Sequence, residues 1–144
     1  MNKKFIILCI IIGFSFSLLI LFIYKKNNIN NVEDTKIYLL QAGAFKDYDN
    51  AVKLTKSLQT YTVIKEDMLY KVYVSVARSK TNAEKLKVFY NNMGNNIYIR
   101  VQIINDKKFN DILSKYDELI SETNDKNTLL TLSRELLKKY KEME

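Results

Sequence analysis

Two stretches of this chain repeat one another 32 residues apart. Asn50-Ala51-Val52-Lys53-Leu54 returns as Asn82-Ala83-Glu84-Lys85-Leu86, while Tyr38, Leu40, Ala42 and Gly43 return as Tyr70, Val72, Val74 and Ser75. A unit this short cannot bury its own apolar side chains, so the two copies have to share one core. Each copy opens on a strand-like run and continues into apolar residues at helical spacing. In the first, Ile37 to Phe45 reads as a strand and Asp47 to Tyr61 as a helix, capped by Asp47 or Asp49, with Ala51, Leu54, Leu58 and Tyr61 on one face. Thr62 to Lys65 is a short strand and Glu66-Asp67 a turn. In the second copy Leu69 to Val76 is a strand, Thr81-Asn82-Ala83-Glu84 matches a capping box, and Ala83, Leu86, Tyr90 and Met93 form the apolar stripe. Gly94 suits a left-handed helix end, and Ile97 to Ile104 supplies the last strand.

The order is βαββαβ over residues 37–104. It predicts an α+β, ferredoxin-like domain: a four-stranded antiparallel sheet with two helices on one face. Strand alternation assigns the faces. With Leu40, Ala42, Val72 and Val74 toward the helices, Leu39, Gln41, Gly43, Lys71, Tyr73 and Ser75 line an open face. Tyr98 and Arg100 on the last strand join that row if the register allows.

The rest of the chain frames this domain. Residues 1–4 are a short tail, and Phe5 to Tyr24 is an uncharged apolar run, long enough as a helix to cross a bilayer core of roughly 30 Å. It exceeds the apolar core of a cleaved signal peptide and ends on Lys25-Lys26, so it reads as a retained single-pass membrane anchor. The short N-terminal tail is expected in the cytoplasm, with residues 27–144 outside the cell membrane. Residues 25–36 are a polar, asparagine-rich linker. Lys3, Lys4, Lys25 and Lys26 supply four charges of the net +7, so the basic balance reflects membrane flanks and gives no case for nucleic acid.

With no histidine and a single cysteine, Cys9 in the apolar run, the chain offers neither disulfide nor Ser-His or zinc chemistry, and no cofactor or metal is expected. The carboxylates fall mostly on expected turns and helix surfaces, which does not suit a glycosidase; no catalytic residue is assigned.

After residue 104, Phe109, Ile112, Leu113, Tyr116, Leu119 and Ile120 keep helical spacing, as do Leu129, Leu132, Leu136, Tyr140 and Met143, with a break at Asn124-Asp125. Two amphipathic helices over 105–144 can hide their stripes in a hairpin, against the domain or the membrane, or on a protein partner docked along 109–143.

Residues 37–104 resemble the sporulation-related repeat (SPOR) domain of bacterial envelope and division proteins. The resemblance rests on Leu40-Gln41-Ala42-Gly43-Ala44-Phe45, on Ala51, Leu54 and Leu58 in the following helix, and on Tyr70-Lys71-Val72; Ser75-Val76-Ala77 departs from the Gly-Pro-Phe usual in that family. The family implies the same two-half fold and a ligand, peptidoglycan glycan strands stripped of stem peptides, bound on the open sheet face. The glycan-binding residues so implied are Gln41, Gly43, Lys71, Tyr73, Ser75 and Arg100. Amide and amine groups there match sugar hydroxyls and acetamido groups, a tyrosine offers a platform, and a glycine permits close approach. Two functions follow as expectations. One is a non-catalytic, membrane-anchored peptidoglycan binder that localises in cell division or sporulation. The alternative is a membrane-anchored adaptor or assembly subunit that uses the domain and its C-terminal helices for protein contacts.

Overall fold

In a computed structural model, which describes residues 34–144, the first strand, β1, runs Thr35–Phe45 and so takes up two residues assigned above to the linker. The remaining elements are α1 Tyr48–Thr55, β2 Thr62–Glu66, β3 Leu69–Ala77, α2 Lys80–Asn92, β4 Tyr98–Ile104, α3 Lys107–Glu122 and α4 Lys126–Met143. The expected membrane anchor, 5–24, lies outside the described residues. Among the described residues no helix is long and apolar enough to cross a membrane.

Each helix begins where a side chain caps its first free amide. Asp47 accepts from Asp49 N at 2.8 Å, Asp106 from Phe109 N at 2.7 Å and Asp125 from Thr128 N at 2.8 Å. For α2 the cap is Ser79, which accepts from Asn82 N at 3.2 Å. The capping box expected at Thr81 is therefore not used: the helix starts earlier and Thr81 is already inside it. Gly94 has φ +84°, the left-handed value that favours glycine after a helix. Helix α1 ends at Thr55, so Tyr61, expected on its buried face, is half exposed.

The strands form one antiparallel sheet in the order β2-β3-β1-β4. Two offset irregularities interrupt the β1–β3 pairing: Leu40 pairs with Ser75, Gln41 with Tyr73, and Gly43 with Val72. Val74 is thus an extra residue on β3 and Ala42 an extra residue on β1, and each such bulge reverses the inside-outside alternation beyond it. Gly43 therefore departs from the face of Gln41. A Cβ added there would meet Leu54 of α1 at 3.0 Å and the Phe45 ring at 2.7 Å.

Helices α1 and α2 both pack on β1 and β3, whereas α4 packs on β3 and β2. Neighbouring strand residues point to opposite faces. Val72 pairs with Gly43 on the α1 side, and Tyr73 next to it meets the Tyr140 ring of α4 edge-on, with centroids 6.1 Å apart. The face expected to stay open is therefore covered over much of its area, because α4 has its own apolar stripe, Leu129, Leu130, Leu136, Leu137 and Tyr140, to bury. The last two helices belong to the same compact unit as the sheet, Asp34–Glu144.

The second copy of the repeat holds this tail in place. Asn82 Nδ2 donates to the Asp117 carbonyl at 2.6 Å, and Lys85 Nζ to the last-turn carbonyls of Ile120 and Ser121 at 2.8 and 3.2 Å. Lysine there satisfies otherwise unpaired carbonyls and complements the helix dipole. Arg78 reaches Ser114, and its backbone N–H donates to Asp117 Oδ1 at 2.9 Å. In the first copy the equivalent residues are exposed, and Lys53 bonds only Asn50 among these partners, at 3.4 Å. Asn82→Ala is accordingly expected to cost about 1–2 kcal/mol in chemical denaturation. The matching Asn50→Ala should stay within about 0.5 kcal/mol of the unmodified chain.

Candidate functional site

The polar end of the sheet is organised by one carboxylate. Glu66 closes β2 just before a tight turn whose Asp67 and Met68 have φ of 49° and 64°, so the next strand folds straight back beside it. Its side chain, 13% exposed, accepts from Lys71 Nζ at 3.0 Å, from Arg100 Nη1 at 2.6 Å and from the Tyr73 hydroxyl at 3.1 Å. Arg100 Nη1 also donates to the Tyr73 hydroxyl at 2.9 Å, and Lys71 reaches Asp67 at 2.9 Å. Two carboxylates and two cations thus make a neutral group in which the buried charges are paired and hydrogen-bonded, the condition under which burial is tolerable.

The six residues expected to contact glycan are not gathered into one open groove. Lys71 and Tyr73 are buried and spend their polar groups on Glu66 and Asp67. Ser75, past the bulge at Val74, is also taken up by α4: its Oγ donates to Ser133 Oγ at 2.9 Å, and both serines are fully buried. β2 stops pairing at Thr62, opposite Tyr73, which leaves this part of β3 without a strand on that side. The freed Val74 carbonyl accepts instead from Thr60 Oγ1 at 2.8 Å and from the Tyr90 hydroxyl at 3.0 Å. Gly43 lies against α1, for the reason of register given above. Gln41 and Arg100 remain partly accessible, Arg100 with 34% of its side chain exposed.

Tyr98 is their neighbour, its side of the sheet fixed by the register of β4 on β1. Gln41 pairs with Tyr73 on one side and with Tyr98 on the other, and Tyr98 and Arg100, two apart on β4, share its face. Tyr98 is 59% exposed, and its hydroxyl is held by Asn96 Nδ2 at 2.9 Å. Gln41, Tyr98 and Arg100, with Asp67 at the rim, form the uncovered corner of this face, beyond the contacts of α4. Its chemistry is an amide, a phenol ring and a guanidinium around a charge-balanced base. The signal available beforehand was the period-two spacing of Tyr98 and Arg100 in a strand whose pairing fixes their side.

Burial pushes the Tyr73 phenol well above its ordinary pKa, and the negative charge of Glu66 adds to it. Tyr140 is raised by burial, then by Glu144 and Glu66, and Tyr90 by burial. Asp67 is held below the usual carboxylate value by its hydrogen bond and charge contact with Lys71. A phenol whose folded pKa is raised gives stability that is complete below the unfolded value of 10.0 and is lost as pH rises beyond it. Spectrophotometric titration should therefore show Tyr73, Tyr90 and Tyr140 un-ionised until alkaline unfolding exposes them together. A single reversible step near pH 10.0 for all tyrosines, with the fold intact, would contradict their burial. For the ion cluster, Glu66→Ala strands Arg100 and Tyr73 and should cost roughly 3 kcal/mol in urea unfolding. Asp67→Ala, at an exposed and solvent-screened side chain, should leave the urea midpoint close to that of the unmodified chain.

Neither a search of family models nor one of curated proteins finds a match to this chain. Among solved structures it is similar to the solution structure of the peptidoglycan binding domain of the B. subtilis cell wall lytic enzyme CwlC. The two are 30% identical over 49% of this chain and 94% of that domain, with a TM-score of 0.43.

Proposed function

We propose that this chain is a non-catalytic peptidoglycan-binding protein, anchored in the cell membrane through residues 5–24, that localises itself by gripping glycan strands during division or sporulation. The observation that carries the reading is the uncovered corner, where Gln41, Tyr98 and Arg100 lie side by side on rigid, paired strands. A tyrosine ring held by Asn96 offers a flat apolar platform to a sugar ring. The Gln41 amide suits an acetamido group, and the Arg100 guanidinium suits a hydroxyl or a lactyl carboxylate. The balanced charges beneath match a strand with little charge of its own. Hydrolysis is not part of the proposal, since a glycosidase needs two carboxyl groups free to face the scissile bond, and here Glu66 is taken up by Lys71, Arg100 and Tyr73.

The corner is preferred to the face beneath α4 on energetic grounds. Lifting α4 would expose Leu129, Leu130, Leu136, Leu137 and Tyr140, a loss on the order of 10 kcal/mol at 1.5–3 kcal/mol per large side chain. A micromolar ligand supplies about 8 kcal/mol. The burial of Lys71, Tyr73 and Ser75 is also the observation that favours a second reading, an adaptor or assembly subunit whose ancestral groove has been built over.

Co-sedimentation of the chain with wall sacculi, before and after an amidase removes stem peptides, separates these readings. Binding is expected to rise on stripped glycan and to fall at least about tenfold, or 1.4 kcal/mol, in Gln41→Ala/Tyr98→Ala. It should be unchanged when Ser75→Cys and Ser133→Cys, in a Cys9→Ser background, are oxidised to pin α4 to β3. Loss of binding on oxidation, recovered on reduction, would move the site beneath the helix; no binding in any form would leave the adaptor reading.

A further inference from the structure

The two edges of the sheet are treated differently. β2 is short, ends in the charged Lys65-Glu66, carries Lys65 over the Tyr70 ring at 5.4 Å, and has α4 packed against it. β4 has seven residues, no proline, no lysine and no bulge, and among the described residues it pairs only with β1. Its single charge, Arg100, is turned in to Glu66, while Val101 and Ile103 stand 51% and 63% exposed. An edge strand left in this state is a template for another strand, a hazard that monomeric proteins usually blunt.

The sequence of β4 specifies which strand fits. Ile99-Arg100-Val101-Gln102-Ile103 reads nearly the same in both directions about Val101. Antiparallel pairing with a second copy through a two-fold axis at Val101 sets Val101 against Val101, each Ile99 against the partner's Ile103, and each Arg100 against the partner's Gln102. All the exposed aliphatic residues then fall on one face and cover one another. The other face opposes no like charges. Arg100, its guanidinium held by Glu66 of its own copy, meets the partner's neutral Gln102, a residue that binds the Glu144 carboxylate at 3.3 Å and the Tyr140 hydroxyl at 3.2 Å. We infer that this chain forms a two-fold dimer by β4–β4 pairing, joining two four-stranded sheets into one of eight strands. Such an interface is isologous, so each contact off the axis is made twice and a change at Val101 is felt on both sides of it.

Cross-linking on the full chain in membranes, in a Cys9→Ser background, tests the register. Val101→Cys should give a covalent dimer on oxidation. Ile99→Cys and Ile103→Cys should cross-link when the two variants are co-expressed, with the mixed pair well in excess of either self-pair, and Met68→Cys, on the exposed turn, should not cross-link. Co-purification of two differently tagged copies tests the contact: Val101→Lys should abolish self-association, Val101→Glu should do the same, and the lysine and glutamate variants together should restore it. That restoration cannot come from variants that have failed to fold. Undiminished self-association of Val101→Lys, or self-pairs of Ile99→Cys as abundant as the mixed pair with Ile103→Cys, would overturn the inference.

Discussion

Tyr73 against Tyr140 is the contact on which the architecture turns. A four-stranded sheet with helices on one side has a second face to hide or to hydrate, and an eighteen-residue amphipathic helix has a stripe to hide. Each solves the problem of the other. Placing Tyr140 over Tyr73 also drives water from the base of the Glu66 cluster, which is what requires Lys71 and Arg100 to converge there. Removing solvent makes the ion group obligatory, and the ion group fixes the relative positions of β2, β3 and β4 by joining residues of all three.

The repeat that shaped the domain has diverged in use. Ala51, Ala83 and Leu86 serve the shared core, and Leu54 packs against it. The polar members have parted: Asn50 and Lys53 remain on the solvent side, whereas Asn82 and Lys85 bind the last turns of α3. Through α3 they set where α4 begins, and so how the far side of the sheet is covered. A motif whose exposed face had no task in one copy became, in the other, the clamp for forty further residues.

Much of the fold was legible because periodicity and capping chemistry are local. The alternation in Ile37–Phe45 and Leu69–Val76, the helical stripes, Gly94 and the break at Asp125 each announce an element without reference to the rest of the chain. What was not legible depends on distant partners. A glycine inside a strand can mark a bulge, but which side Gly43 takes depends on the pairing of β1 with β3, and the fate of Ser75 on a bulge at Val74 and on Ser133, 58 residues away. Lys71 and Tyr73 share one face, as their alternation requires, but whether that face is wet depends on where α4 comes to rest. Tyr98 and Arg100 could be assigned a side only once the pairing of Gln41 with Tyr98 was known.

The paired bulges carry an evolutionary consequence. Because the surplus residue on β3 is answered one step later by a surplus residue on β1, the strands leave the irregular window aligned as they entered it, and only Gln41 and Tyr73 are out of step. Loss of either surplus residue alone would turn everything beyond it inside out, sending core side chains to water. Loss of both would restore the alternation, though it would take the buried Val74 and the carbonyl bonded by Thr60 and Tyr90 out of the core. Length changes in these two strands can therefore be inherited only as matched pairs, which ties the drift of one strand to that of the other.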